Sequence, residues 1–267
     1  MRLSKVFSHR TFIGTITLLS VIFLMAPIVV VAVMSFAVRP AALFPPQEWT
    51  IAWYREVITD PVFRSSLFLS LVIALAATVT SLTLGTAASI SIVRFDFRGA
   101  KFIEGMLMSP LVFPGLVVGL MLLKIFATMS MFNPLMNLVL AHTLITLPYV
   151  IRTVTASLRQ IDVSLEDAAR TLGASEWMVF RRITTPQIAG GLVAGGIFAF
   201  IMSFDNFVVS LWLADAGAVP LPILIFRHIS SSFTPSITAE ATIMVGFGIV
   251  SVVLLEMTVG LRKSLSH

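Results

Sequence analysis

The sequence predicts an all-α membrane protein with six transmembrane helices and both termini cytoplasmic. Three observations carry that prediction. Of 267 residues, 57% are hydrophobic and only 12% charged, with a mean hydropathy of +0.99, whereas a soluble globular chain carries roughly 25% charged residues. The apolar residues arrive in separate runs of about 20 or more, each long enough to cross the roughly 30 Å hydrocarbon layer as helix. Basic residues alternate between connections. No cysteine is present, which excludes disulfides, thiolate metal sites and cysteine nucleophiles.

The runs occupy residues 11–36, 67–93, 102–125, 136–158, 187–213 and 238–261. The N-terminus, the second and fourth connections and the C-terminus hold 13 of the 18 Lys and Arg residues, among them Arg2, Arg94, Arg98, Arg159, Arg181 and Arg262. By the positive-inside rule these segments are cytoplasmic. The net charge of +5 is thereby accounted for without a nucleic-acid partner. A basic start before an apolar run also fits a cleaved signal, but this run of about 25 residues exceeds a signal h-region of 7 to 15, so it reads as a retained first span.

The first outer connection contains Pro40, Pro45, Pro46, Trp49, Trp53 and Tyr54. Tryptophan and tyrosine favour the membrane interface, so 49–54 is expected to begin a short surface helix, as an interface anchor or as a docking surface for an outer partner. In the third span Pro110 and Pro114 remove helical hydrogen bonds, and Gly115 and Gly119 thin the helix, which predicts a kinked or partly unwound segment. His142 in the fourth span reads as a hydrogen-bonded interior histidine. With four histidines and no HExxH pattern, no metal site is expected.

The fourth connection turns polar yet still reads as helix. Ser164 and Asp167 fit a capping box that starts a helix near Leu165. Glu166 and Arg170 stand at i and i+4 in the favourable order, and Gly173 falls where a C′ residue ends the helix. Ser175 can cap a second helix over 176–183, before Pro186 opens the fifth span. Leu165, Ala168, Ala169 and Leu172 give the first helix a small apolar face suited to a groove on a partner.

In this connection the residues resemble a family. Asp167-Ala168-Ala169, three residues, Gly173, nine residues, then Ile183-Thr184-Thr185-Pro186 resembles the EAA motif of binding-protein-dependent ABC-importer permeases, E-A-A-x3-G-x9-I-x-L-P. Asp167 stands for the usual glutamate and Thr185 for the usual leucine. The resemblance implies a MetI-like type I importer fold, one transmembrane permease domain over 1–267, and a cytoplasmic coupling loop over 159–186. In that loop Glu166, Asp167, Ala168, Ala169, Gly173, Ile183 and Pro186 would face or shape the contact with an ABC ATPase dimer. It also implies a second permease subunit, a paralogue rather than a copy, an external solute-binding protein, and residence in the bacterial inner membrane among lipid. Neither a catalytic constellation nor a G-x-x-x-x-G-K-[ST] loop occurs. The resemblance therefore implies a non-enzymatic subunit that binds no cofactor, with ATP and Mg on the separate ATPase.

Ser109 to Gly115, Leu147-Pro148-Tyr149-Val150 and Ser203-Phe204-Asp205-Asn206-Phe207 are similar to the spermidine/putrescine branch, where an acidic residue usually follows the aspartate and Asn206 departs. Related branches handle phosphonate, iron and other organic solutes. Charge at membrane depth costs about 2.5 to 3.5 kcal/mol at mid-helix. Snorkelling accounts for most of Glu104, Arg152, Glu256, Lys124 and Glu240. Asp205 needs another reason. With Phe204, Asn206 and Trp212 it can line a path for a cationic amine by ion pairing and cation–π attraction, or it can make an interhelical bond, for instance to Lys124. Pro110, Pro114 and Gly115 are candidates for a gate or for a packing kink. A secondary transporter or channel would predict an inverted repeat or facing charges in the spans, and no such pattern is evident.

Overall fold

The computed structural model describes residues 3–39, 44–95, 97–231 and 234–264. Arg2 and Pro40, used above, lie outside them. Regular structure among the described residues is helical, apart from isolated bridges at Ala37–Trp49 and Asp215–Ala218. Four helices are long and apolar enough to cross a membrane unaided: Thr11–Met34, Pro61–Arg94, Pro134–Leu158 and Pro235–Leu254. Two bent pairs, Ala100–Leu111 with Gly115–Thr128 and Glu176–Gln187 with Ala189–Phe204, raise the number to six if each pair is one span. The chain divides into two compact units, Met1–Arg64 with Ile225–Val245, and Ser65–Leu224 with Gly246–His267.

In the first unit, α1 (Leu3–Met34) leaves its apolar surface uncovered from Thr11 to Val31, as a helix does whose solvent is lipid or another chain. α2 (Ala52–Thr59) is the expected short helix, and two of its aromatic residues are hydrogen-bonded to the chain. Trp53 Nε1 donates to Ala37 O at 2.8 Å, and Tyr54 OH and Ser35 Oγ lie 2.6 Å apart. Asp60 then caps α3 (Pro61–Arg94), accepting from Val62 N at 2.9 Å. Sequence reasoning missed α12 (Leu221–Ser231), an amphipathic helix whose 11 residues are too short to signal a span. Its His228 lies 2.9 Å from Oε1 of Glu240 in α13 (Pro235–Ser264). Glu240 is buried, so a hydrogen-bonding histidine, not snorkelling, accounts for that carboxylate.

In the second unit, α6 (Pro134–Leu158) is the central helix. Against it α3 presents hydroxyls: Thr80 and Thr143 lie 2.7 Å apart, Ser81 and Thr146 lie 2.7 Å apart, and Ser89 Oγ donates to Ile151 O at 3.2 Å. Lipid provides no hydrophobic drive between helices, and such bonds contribute roughly 0.6 to 2 kcal/mol each. α10 (Ala189–Phe204) approaches α6 through glycines. A Cβ on Gly195 would lie 2.6 Å from Thr153 Oγ1 and 3.1 Å from Val150 Cα. Around these contacts Val150, Val154, Leu158, Ile188 and Ala199 form one apolar cluster, and Ile73, Phe126, Leu138, Ala141, Val209 and Leu213 belong to another.

The third and fifth runs are broken where the sequence placed special residues. α4 (Ala100–Met108) passes into a 3₁₀ turn at Ser109–Leu111, and the chain bends by 105° before α5 (Gly115–Thr128). Pro110 sits in that turn and Pro114 is the extended residue before α5. The expected unwinding is there, and it is sharper than a kink because two ring-locked residues fall four apart. The fifth run breaks at Asp205–Asn206, between α10 and α11 (Phe207–Leu213).

Candidate functional site

The loop after α6 has the helix–corner–helix form. α7 covers Val163–Thr171, and its N-cap is Asp162, whose carboxylate accepts from Ser164 N at 3.0 Å. The expected Ser164 capping box is therefore displaced by two residues, because the acidic side chain upstream reaches the first-turn amides sooner. That bond holds the Asp162 carboxyl below the usual carboxylate range. Gly173 closes α7 at φ +85. Gly173 N donates to Arg170 O at 2.9 Å and Ala174 N to Ala169 O at 3.0 Å, the paired bonds of a Schellman motif.

Ser175 caps α8 (Glu176–Val179) as expected, accepting from Met178 N. The second helix runs further than 183. It passes through a π turn at Phe180–Thr184 into α9 (Thr185–Gln187) and bends by 72° before α10. Pro186 lies inside α9, where the first turn needs no amide donor, and the break falls two residues later at Ile188.

The loop's charged residues divide by burial. Asp167 is exposed and takes a 2.9 Å bond from Arg170 Nη1. Arg170 Nε also donates to Glu176 Oε1 at 2.8 Å, which pulls the Glu176 carboxyl down. Arg170 thus staples α7 to α8 across the glycine corner, while its expected i, i+4 partner Glu166 stands at 3.8 Å. Glu166 was expected to face a partner, yet it is only 3% exposed. A buried carboxylate has no surface to offer, so it belongs to the inside of the loop. Leu165, Ala168 and Leu172 are exposed, Leu172 at 87%, and Trp177 lies open beyond the corner. Ala169 is half-buried, Ile183 partly covered, and Pro186 exposed.

The second group of candidates converges at the two helix breaks. A Cβ on Gly115 would stand 3.3 Å from Val208 Cγ1, and one on Gly119 would stand 2.6 Å from Trp212 Cδ1. α5 and α11 are therefore in close contact, so Pro114 and Gly115 lie beside the helix carrying Trp212. Asp205 is exposed, and no ion pair joins it to Lys124 among the described residues. Two neighbours have other tasks. Phe204 is 4% exposed and stacks on Phe200 at 5.6 Å, which removes its ring from any path. Asn206 caps α11, accepting from Val209 N at 2.9 Å. Sequence reasoning missed the clamp across this break. Buried His142 places Nδ1 2.8 Å from Ser203 Oγ on α10 and Nε2 3.1 Å from Ser210 Oγ on α11. Partners 61 and 68 residues away leave no local signal. No cluster of three metal-ligating side chains is present among the described residues.

Comparison with known proteins places this arrangement. The profile of the "Binding-protein-dependent transport system inner membrane component" family matches residues 81–262. The putrescine transport system permease protein PotI of Escherichia coli strain K12 is 34% identical over 239 residues, covering 86% of this chain and 84% of that protein. A chain of the bacterial alginate ABC transporter, crystallised with an alginate pentasaccharide-bound periplasmic protein, shares the fold at a TM-score of 0.76 with 13% identity, over 98% of this chain and 99% of that one. A chain of the inward-facing MetNI methionine ABC transporter does so at 0.61 with 13% identity, over 78% and 99%. The chain belongs to the binding-protein-dependent transport system inner membrane components: it is a multi-pass, non-catalytic permease subunit of an ABC importer with a MetI-like fold.

Proposed function

We propose that this chain forms half of the translocation pathway for a small cationic amine of the polyamine type, and that the 159–186 loop couples it to an ABC ATPase dimer. In this reading 1–267 is one permease domain with six spans and cytoplasmic termini. It pairs with a paralogous permease and receives solute from an external binding protein. The observation that carries the coupling is the face of Leu165, Ala168 and Leu172, apolar and uncovered on a helix pinned at both ends, which fits a groove. The amine reading is supported by the PotI likeness and by Asp205, an exposed carboxylate in a helix break without an ion-pair partner among the described residues. Such a group favours a cation. Pro110, Pro114 and Gly115 are the proposed gate, since the bend they make abuts α11.

The natural chain has no cysteine, so Leu172→Cys provides a single thiol. In the assembled transporter it is expected to crosslink to the ATPase, and absence of any such adduct would remove the coupling role. In proteoliposomes holding the whole complex, putrescine uptake should need ATP and fall at least tenfold in Asp205→Asn. Equal uptake by that variant, with equal assembly, would remove the substrate role of Asp205.

A further inference from the structure

Glu166 stands in the middle of an exposed helix with its side chain only 4% accessible. A carboxylate taken this far from water persists only when donors surround it. Oε1 accepts from Arg94 Nη2 at 2.9 Å and from Thr184 Oγ1 at 2.9 Å. Each donor belongs to a different element. Arg94 is the last residue of α3, a 34-residue helix long enough to span the membrane, and Thr184 closes the π turn that leads through α9 and the 72° bend to α10. One buried side chain therefore fastens α7 to the end of α3, 72 residues away, and to the π turn that precedes α9 and α10.

The adjacent Asp167 has a 67% exposed side chain, so of the two consecutive carboxylates one is sealed and the other open. A π turn is a rare form that often marks a working position, and here Thr184 in that turn donates to the pin. Coupling over distance needs short, stiff contacts between elements with discrete arrangements. Short charge-assisted hydrogen bonds supply one.

We propose that Glu166 is a positioning residue through which displacement of α7 reaches α3 and α10, acting inside the chain and not by touching the ATPase. This rests on the proposed docking of α7 to the ATPase.

The test uses the whole reconstituted complex with ATPase and binding protein, comparing Glu166→Ala, Thr184→Val and the wild type. ATPase co-purification should stay at the wild-type level in both variants. The ratio of hydrolysis stimulated by loaded binding protein to basal hydrolysis should fall towards one in Glu166→Ala and about halfway in Thr184→Val, with uptake falling at least tenfold and several-fold. In a complex without other cysteines, Arg94→Cys with Glu166→Cys should lose stimulation and regain it when a short bis-methanethiosulfonate reagent bridges the two thiols. A role in mere folding would not produce that recovery. Loss of ATPase capture by assembled Glu166→Ala would make Glu166 a partner contact and overturn the proposal. So would an unchanged ratio in Thr184→Val, or bridging without recovery. If Glu166→Ala fails to assemble, Thr184→Val and the bridged pair decide. A wild-type complex that captures no ATPase would instead overturn the docking reading, and this proposal with it.

Discussion

Replacing Gly195 by alanine tests the close approach of α10 to α6. The added methyl would lie 2.6 Å from Thr153 Oγ1 and 3.1 Å from Val150 Cα, about 0.8 and 0.3 Å inside the 3.4 Å at which ordinary contact begins. Thr153 could yield only by leaving its bonds of 3.1 Å to Tyr149 O and Val150 O, and the Val150 backbone cannot rotate away. The helices must separate by several tenths of an ångström, straining the Val150, Val154 and Ala199 cluster. Overpacking of this kind costs about 1 to 3 kcal/mol, and helix propensity returns at most about 1 kcal/mol. Gly14→Ala is the control, because nothing lies within 4 Å of that position. The assay is thermal unfolding of the detergent-solubilised complex, followed by size-exclusion recovery after heating. Gly195→Ala should lower the midpoint and Gly14→Ala should leave or raise it. Equal midpoints for the two variants would refute the close approach.

Two further outcomes follow from the geometry. His142→Leu removes both hydrogen bonds across the break in the fifth run, leaving Ser203 and Ser210 without that partner, at about 1 to 3 kcal/mol for each buried group left unsatisfied; the same melting assay should show a larger drop than Gly195→Ala, and uptake should fall with it. Gly173 has φ +85 with nothing within 4 Å of a built Cβ, so Gly173→Ala meets only the left-handed backbone cost of about 1 to 2 kcal/mol. Uptake should fall several-fold in Gly173→Ala and less in Gly173→Asn; equal uptake by the alanine variant and the wild type would remove the need for that turn.

Much of the loop was legible because its signals are local. Gly173 ends α7 and Ser175 starts α8 for reasons contained in four or five consecutive residues, and the spacing from Asp167 to Pro186 carried the family resemblance. The capping box failed by two positions because Asp162, accepting from Ser164 N, already starts the helix and leaves Ser164 inside its first turn. Pro110 and Pro114 announced a break, since ring constraint is a property of the residue, but not a bend of 105°. α12 was illegible: 11 amphipathic residues resemble any apolar loop once the length criterion for a span is applied.

Composition and periodicity alone determined that the chain is helical, membrane-bound and without thiol chemistry, because hydrocarbon imposes the same demand on every residue in a span. The tertiary structure decided which charges face inward. Glu166 and Asp167 are neighbours of nearly identical chemistry, yet one is sealed by Arg94, 72 residues away, and the other is open. Likewise Phe204 and Asp205 adjoin, and only the packing on Phe200 separates core from exposed surface. Spacing along a helix gives a side chain's direction to within a face, and whether that face meets water, lipid or another helix depends on partners brought together by the fold.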